Sequence, residues 1–235
     1  MVINSISGPR NISTALMYSF AQRPDTKVVD EPFYAFYLVE TGIVHPGNDD
    51  VLKSQAHSQY EVQGQLESIS SEVIFVKNMA HHMAVMDQSL VEPLTNLFLI
   101  RNPKQIIASY ADVINAPKLR DFGVVYQHEL FTRLLAQGRH PVVLDAGLLL
   151  ENPESVLTQL CERLGIPFFR EMMSWPAGPK AYDGIWAPHW YSNVHRSTGF
   201  MPQSTSSRTL PPALHDLNEQ AQFYYQALAP FALRP

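Results

Sequence analysis

The chemistry-bearing residues of this chain fall in five short polar stretches, each following an apolar run. The first is Gly8-Pro9-Arg10-Asn11-Ile12-Ser13-Thr14, between the strand-like Ile3 to Ile6 and the helically spaced Leu16, Met17 and Phe20. Arg10 supplies a permanent cation. Ser13 and Thr14 place hydroxyls where a helix opens, and the first turn of a helix leaves backbone N–H groups without intrahelical acceptors. Such a terminus is an anion site suited to phosphate or sulfate; the plain alternative is an ordinary capped strand–turn–helix. Gly8 permits a tight turn without a Cβ penalty. The loop is not of the Gly-x4-Gly-Lys-Ser/Thr kind. Counted from Gly8, Ser13 stands at the second glycine and Thr14 at the lysine, so no lysine reaches a γ-phosphate and ATP or GTP hydrolysis is disfavoured.

The other four stretches are Asp30-Glu31 after Val28-Val29, Lys77 to His82 after Val73 to Val76, Arg101-Asn102 after Leu97 to Ile100, and Asp145 after Pro141 to Leu144. These runs alternate with helical spacings, which predicts an α/β fold: a central parallel sheet of about five strands with helices on both faces. In a parallel sheet all strand ends point to one edge, and ligands bind along that edge. The polar stretches therefore converge.

The elements that position them are legible in outline. Helices are expected over Ser13 to Gln22, from Pro32 through Glu40, from Lys104 to about Ile114, from about Asp121 to Gln137, from Asn152-Pro153-Glu154 to Gly165, and from Leu214 to Leu228. Asp87 is placed to cap a short helix ending near Glu92. Residues 48–70 read as a polar helical insertion and 167–212 as an irregular, lid-like segment rich in Gly, Pro, Ser and aromatics, within one domain spanning 1–235. A stretch of that length is longer than idle connections usually are.

A net charge of −5 argues against a general nucleic-acid or membrane-surface binder. No apolar run approaches the roughly 20 residues of a membrane helix, and strand-like sequence directly after Met1 leaves no room for a signal peptide. Cys161 is the single cysteine, which points to a reducing cytoplasm. Its helical register with Leu157, Leu160 and Leu164 places it in the core.

Three of these stretches together resemble the sulfotransferase family, which transfers sulfuryl groups from 3′-phosphoadenosine 5′-phosphosulfate (PAPS). Gly8 to Thr14 resembles the family's 5′-phosphosulfate loop, usually Pro-Lys-Ser-Gly-Thr-Thr or Arg-Ser-Gly-Ser-Thr. Leu99-Ile100-Arg101-Asn102-Pro103 with Ser109 resembles its 3′-phosphate motif, a strand, an arginine and a serine eight residues on. Val143 to Phe168, with Leu164-Gly165-Ile166-Pro167-Phe168, resembles its late Leu-Gly-x-Pro-Phe segment. The resemblance implies a P-loop-type fold, PAPS as co-substrate and no metal. It implies that Gly8, Pro9, Arg10, Asn11, Ile12, Ser13 and Thr14 hold the 5′-phosphosulfate, that Arg101 and Ser109 hold the 3′-phosphate, and that Arg196, in the loosely matching Val194 to Phe200, adds a cation there. Trp186 or Trp190 would wall the acceptor pocket.

The chain departs from the pattern at two places. Ile12 stands where the loop has its central glycine. The Lys-Thr-His of cytosolic members, whose histidine is the base, reads Lys77-Asn78-Met79 here, with His81 and His82 just beyond. Glu31, His81 and His82 are therefore the candidate bases, beside Arg10 as the catalytic cation; the alternative for the histidines is a solvated or helix-capping pair, and two adjacent histidines alone are too few for a metal site. The expected function is sulfuryl transfer to a hydroxyl or amine of a small-molecule acceptor, with no nucleic-acid or membrane partner. The rivals are a nucleotide-binding or sensing protein of the same fold without transfer, and a small-molecule kinase with a degenerate loop. These motifs name neither the acceptor nor the oligomeric state.

Overall fold

A computed structural model describes residues 1–110, 117–201 and 209–235. The strands are β1 (Val2–Ser7), β2 (Thr26–Asp30), β3 (Val73–Met79), β4 (Thr95–Ile100) and β5 (Val142–Asp145). They form one parallel sheet in the order β2-β3-β1-β4-β5. From the central β1 the chain runs to β2, towards one edge; from the adjacent β4 it runs to β5, towards the other. The crevice of such a sheet opens where neighbouring strands lead in opposite directions, here between the carboxyl ends of β1 and β4.

In chain order the helices are α1 (Ser13–Phe20), α2 (Tyr34–Thr41), α3 (Asn48–Ser54), α4 (Gln59–Glu67), α5 (Ala80–Met83), α6 (Gln88–Val91), α7 (Pro103–Tyr110), α8 (Val124–Ala136), α9 (Ala146–Glu151), α10 (Pro153–Leu164), α11 (Ala187–Trp190), α12 (Ser192–His195) and α13 (His215–Leu228). The two-residue period of the strands sends Ile3, Phe75, Leu97, Leu99 and Leu144 to one face, under Leu16, Met17 and Phe20 of α1 and Val156, Leu157, Leu160 and Cys161 of α10. Ile6, Val76, Phe98 and Val143 face the other way, under Leu130, Phe131 and Leu134 of α8. Cys161 is buried, as its spacing predicts.

A chain of buried amides crosses three strands. Asn78 Nδ2 donates to Asn4 Oδ1 at 2.7 Å, and Asn4 Nδ2 donates to Asn96 Oδ1 at 2.8 Å. Asn96 Nδ2 in turn donates to the carbonyls of Val91 and Leu94. A one-residue slip of β1 would turn Asn4 to the other face and break both bonds, so the ladder holds the register of the strand that carries the loop.

Several elements differ from the sequence expectation, each for a physical reason. The helix expected from Asp121 to Gln137 is divided. Leu119–Phe122 is a 3-10 turn, and Gly123, at φ 66°, breaks it from α8. A Cβ on Gly123 would lie 2.3 Å from the Cβ of Ala80, so this position needs both the left-handed backbone and the missing side chain. The polar insertion is also divided, into α3 and α4. Between them Gln55 is extended, and its side chain accepts from Ala35 N and donates to Glu31 O. The helix α9 was not expected; Asp145 Oδ1 caps it by accepting from Gly147 N and Leu148 N. Of the helix expected over Lys104 to Ile114, residues 111–116 lie outside the described residues.

Candidate active site

The loop after β1 is held open by its neighbours. Gly8 is not in the left-handed region. A Cβ there would meet the Phe122 carbonyl oxygen at 2.2 Å, so glycine is required by the close passage of the segment before α8. Arg10 and Ile12 have φ of 59° and 53°, a left-handed backbone that is strained for a side chain branched at Cβ. Ile12 thus adopts the backbone that a glycine would adopt, while its side chain packs on the core cluster under α1. Asn11 Nδ2 donates to Leu99 O at 2.6 Å, and Gln127 Nε2 donates to both Ile6 O and Leu99 O. These bonds tie the loop to β4. Ser13 opens α1 and Thr14 follows it. No side chain among the described residues caps the helix, so its first-turn amides remain for a ligand.

Across the crevice, Arg101 Nη1 donates to Arg10 O at 2.7 Å, and Arg10 Nε donates to Ser109 Oγ at 2.9 Å. Arg101 Nε also donates to Gln105 Oε1 at 3.0 Å. Burial, and then the neighbouring Arg10, push the Arg101 pKa below its usual value; two guanidiniums held this close favour an anion between them. Beside Arg101 lies a cavity of about 560 Å³, walled in part by Asp145, Leu148, Tyr225 and Arg234. Tyr225 donates to Asp145 Oδ2 at 2.9 Å.

On the other side of β1, the ends of β2 and β3 build a buried charged centre. Asp30 and Lys77 are register partners, so their side chains rise from the same face. Lys77 Nζ donates to Asp30 Oδ1 at 2.8 Å, to Glu31 Oε1, and to Tyr191 Oη at 2.7 Å. An ammonium has three donors, and all three are used. Tyr191, between α11 and α12, donates to Asp30 at 2.8 Å and accepts from Trp186 Nε1 at 3.1 Å. Glu31 sits at φ 42°, and its N–H donates to Lys77 O. Burial raises the Glu31 pKa against the pull of Lys77. Burial works against the Lys77 cation, but Asp30 and Glu31 outweigh it and hold its pKa well above the usual value. The centre is thus a fixed ammonium, a carboxylate partner in Asp30, and a second carboxylate of increased basicity in Glu31.

His82 is 1 % exposed, and its Nδ1 lies 3.9 Å from Glu31 Oε2. Its ring stacks on Tyr34 with centroids 4.8 Å apart. Burial lowers both histidines: His81 to about 3, and His82 well below 6.5 with His81 adding to the effect. Both are thereby held toward the neutral form, and the buried His82 is not part of a solvated pair as its sequence allowed. His81 is edge-on to Tyr37 and makes no ion pair with Glu31 among the described residues.

The fold therefore brings Gly8 to Thr14, Arg101 and Ser109 together at the crevice, and Glu31 and His82 together on the other side of β1. Arg196 is not brought there. It is exposed at the end of α12, and its guanidinium donates to Asn193. Trp186 is buried against Tyr34 rather than open on a pocket. Sequence reading placed Asp30 and Lys77 among the polar strand ends without giving either a role, and it did not name Tyr191. The first two carry a signal, opposite charges at the ends of adjacent apolar strands. Tyr191 carries none, because it comes from an irregular stretch 161 residues from Asp30 in the chain.

A family model described as a sulfotransferase domain matches residues 1–232. The chain belongs to the sulfotransferase domain family. Two solved structures share the fold: the sulfotransferase domain of the Synechococcus PCC 7002 olefin synthase (TM-score 0.58, 18 % identity, 96 % of this chain and 94 % of that one) and a sulfotransferase domain from the curacin biosynthetic pathway (TM-score 0.57, 17 % identity, 99 % and 98 %). Two curated relatives from Arabidopsis thaliana are closer in sequence. Branched-chain-amino-acid aminotransferase-like protein 1 is 39 % identical over 230 residues, and protein 2 is 36 % identical over 237. The match covers 97 % of this chain but 41 % of each relative. Their names describe proteins more than twice as long as the matched sulfotransferase region.

Proposed function

We propose that this sulfotransferase domain transfers a sulfuryl group from PAPS to a small-molecule acceptor. The observation that carries the reading is the mutual hold of Arg10, Arg101 and Ser109 at the crevice between β1 and β4. The first-turn amides of α1, which no side chain caps among the described residues, suit a polyanion. In this reading Arg10 and those amides face the bridging oxygen, where charge develops as the sulfuryl group leaves. Arg101 and Ser109 face the 3′-phosphate. The adjoining cavity of about 560 Å³ is large enough for a nucleoside. Glu31, whose basicity burial raises, takes the acceptor's proton. An activity from the remainder of the longer relatives is no part of the proposal.

Calorimetry with 3′-phosphoadenosine 5′-phosphate (PAP), ATP and AMP tests the donor. PAP is expected to bind most tightly and without magnesium. ATP binding as tight as PAP and dependent on magnesium would overturn the reading in favour of a kinase. Tight PAP binding with no transfer to any acceptor in a broad screen would favour a nucleotide sensor.

A further inference from the structure

The side chain of Gln127 stands where β1 and β4 part. Ser7 and Leu99 are the last register partners of the two strands. Beyond them β1 enters the loop at Gly8, and β4 runs through Ile100 to Arg101. Gln127 Nε2 donates to Ile6 O at 2.9 Å and to Leu99 O at 3.1 Å. An amide nitrogen has two hydrogens, and here one serves each strand. The same Leu99 carbonyl accepts from Asn11 Nδ2 of the loop at 2.6 Å. Gln127 is 1 % exposed and lies in the first turn of α8, where its backbone N–H donates to Gly123 O at 3.0 Å. Leu130, Phe131 and Leu134 seat that helix on the sheet. The amide is therefore delivered by a packed element, not by the loop it serves.

We infer that Gln127 is a positioning residue that presets the spacing between the two anion points of the crevice: the loop with Arg10 on the β1 side, and Arg101 with Ser109 on the β4 side. This rests on the transfer reading above and names the residue that fits that site to two phosphates on one ribose. Ile6 lies two residues before Gly8, and Leu99 lies two before Arg101. A shift of either strand end carries its anion point with it. The bond from Arg101 Nη1 to Arg10 O also joins the two sides, but it is exposed, where water competes for both groups. The two Gln127 bonds are buried, and a buried hydrogen bond is stronger and its loss leaves acceptors unpaired. The interior clip, more than the surface one, therefore holds the strand ends at one distance.

A ribose ring holds its 3′- and 5′-phosphates at a separation that varies little. A site already set to that separation needs no rearrangement to engage both. Each phosphate then adds its own affinity whether or not the other is present. A site that must be drawn to the right spacing by its ligand behaves differently, because the two phosphates become coupled.

The test is calorimetry on the whole chain with adenosine, adenosine 5′-phosphate, adenosine 3′-phosphate and PAP, which together close a thermodynamic cycle. In the parent, adding the 3′-phosphate is expected to gain the same affinity on adenosine as on adenosine 5′-phosphate, within about threefold. Gln127→Met keeps the length of the side chain and removes its donors. It should weaken PAP by about tenfold, the worth of a hydrogen bond to a charged group, and each single phosphate by less than about threefold. Gln127→Asn, whose shorter stem holds its amide back from the two carbonyls, is a second variant with a polar group in place, and the same selective loss of PAP is expected. A residue that merely supports the helix would lower the unfolding temperature and leave this selectivity unchanged. Unchanged PAP affinity in the variants, or equal losses for PAP and both single phosphates, overturns the positioning role. Should neither variant fold, a parent cycle that fails to close within about threefold overturns it. Each of these results leaves the transfer reading intact when PAP binds the parent tightly, whereas a parent that binds PAP no better than adenosine 5′-phosphate rejects both.

Discussion

Arg101, at the end of β4, holds the backbone of Arg10, in the loop after β1: its Nη1 donates to the Arg10 carbonyl at 2.7 Å. The residue matched to the 3′-phosphate therefore also braces the loop matched to the 5′-phosphosulfate. Arg101→Ala should weaken PAP binding by roughly ten- to a hundredfold, the worth of a charged hydrogen bond. Because the brace is lost too, AMP should weaken as well, but by less than tenfold. Calorimetry with both nucleotides measures the gap, and equal losses would make Arg101 a brace alone.

Arg10 is exposed and has no acidic partner among the described residues; only Ser109 restrains its side chain. If its charge acts on the leaving oxygen, Arg10→Ala should reduce kcat by on the order of 10²–10³-fold with a smaller change in donor affinity. Ser109→Ala should lower kcat in the same direction but less, because the cation remains and only its restraint is lost. Steady-state kinetics on the two variants separates these effects, and a raised donor KM with normal kcat would make Arg10 a plain binding residue.

Gly8 is held against the carbonyl of Phe122. A Cβ there would approach that oxygen to 2.2 Å, and relief requires backbone movement on one side. Gly8→Ala should cost about 1–3 kcal/mol, lowering Tm by roughly 2–4 °C per kcal/mol for a chain of this length. Thermal unfolding checks it, and an unchanged Tm would show that the segment before α8 yields freely.

Lys77 is the single cation shared by Asp30 and Glu31 in their buried centre. Removing it with Lys77→Met leaves two carboxylates without their partner, which should cost about 3–5 kcal/mol in urea unfolding. The double change Lys77→Met with Asp30→Asn should recover a large part of that loss. If the single variant is as stable as the parent, the centre is more open to water than its burial indicates.

His82 stays neutral in the folded chain because burial lowers its pKa well below 6.5, whereas the unfolded chain protonates it near pH 6.5. The unfolded state therefore binds the extra proton, and stability contributed above pH 6.5 is lost as pH falls. The slope is about 1.4 kcal/mol per pH unit, or roughly 2 kcal/mol between pH 6.5 and 5. Urea unfolding of His82→Gln should show a shallower acid loss than the parent over that window. Parallel profiles would mean that His82 titrates normally.

The sequence by itself determined the sheet and its reactive edge. Apolar runs each ending in a polar residue and alternating with helices bury themselves as parallel strands between helices, and that arrangement brings Ser7, Asp30, Lys77, Arg101 and Asp145 to one edge. The glycine-like backbone of Ile12 and the close passage at Gly8 were not legible, because both are set by what packs against the loop. Tertiary structure alone decided the partners. It separated Arg196 from Arg101 and left it on the surface. It delivered Tyr191 to Asp30 and Lys77 across more than half of the chain. It buried His82 beside Glu31, where its sequence allowed a solvated pair. Which atoms face each other across the crevice depends on how an irregular segment folds back over strand ends, and no local periodicity encodes that contact.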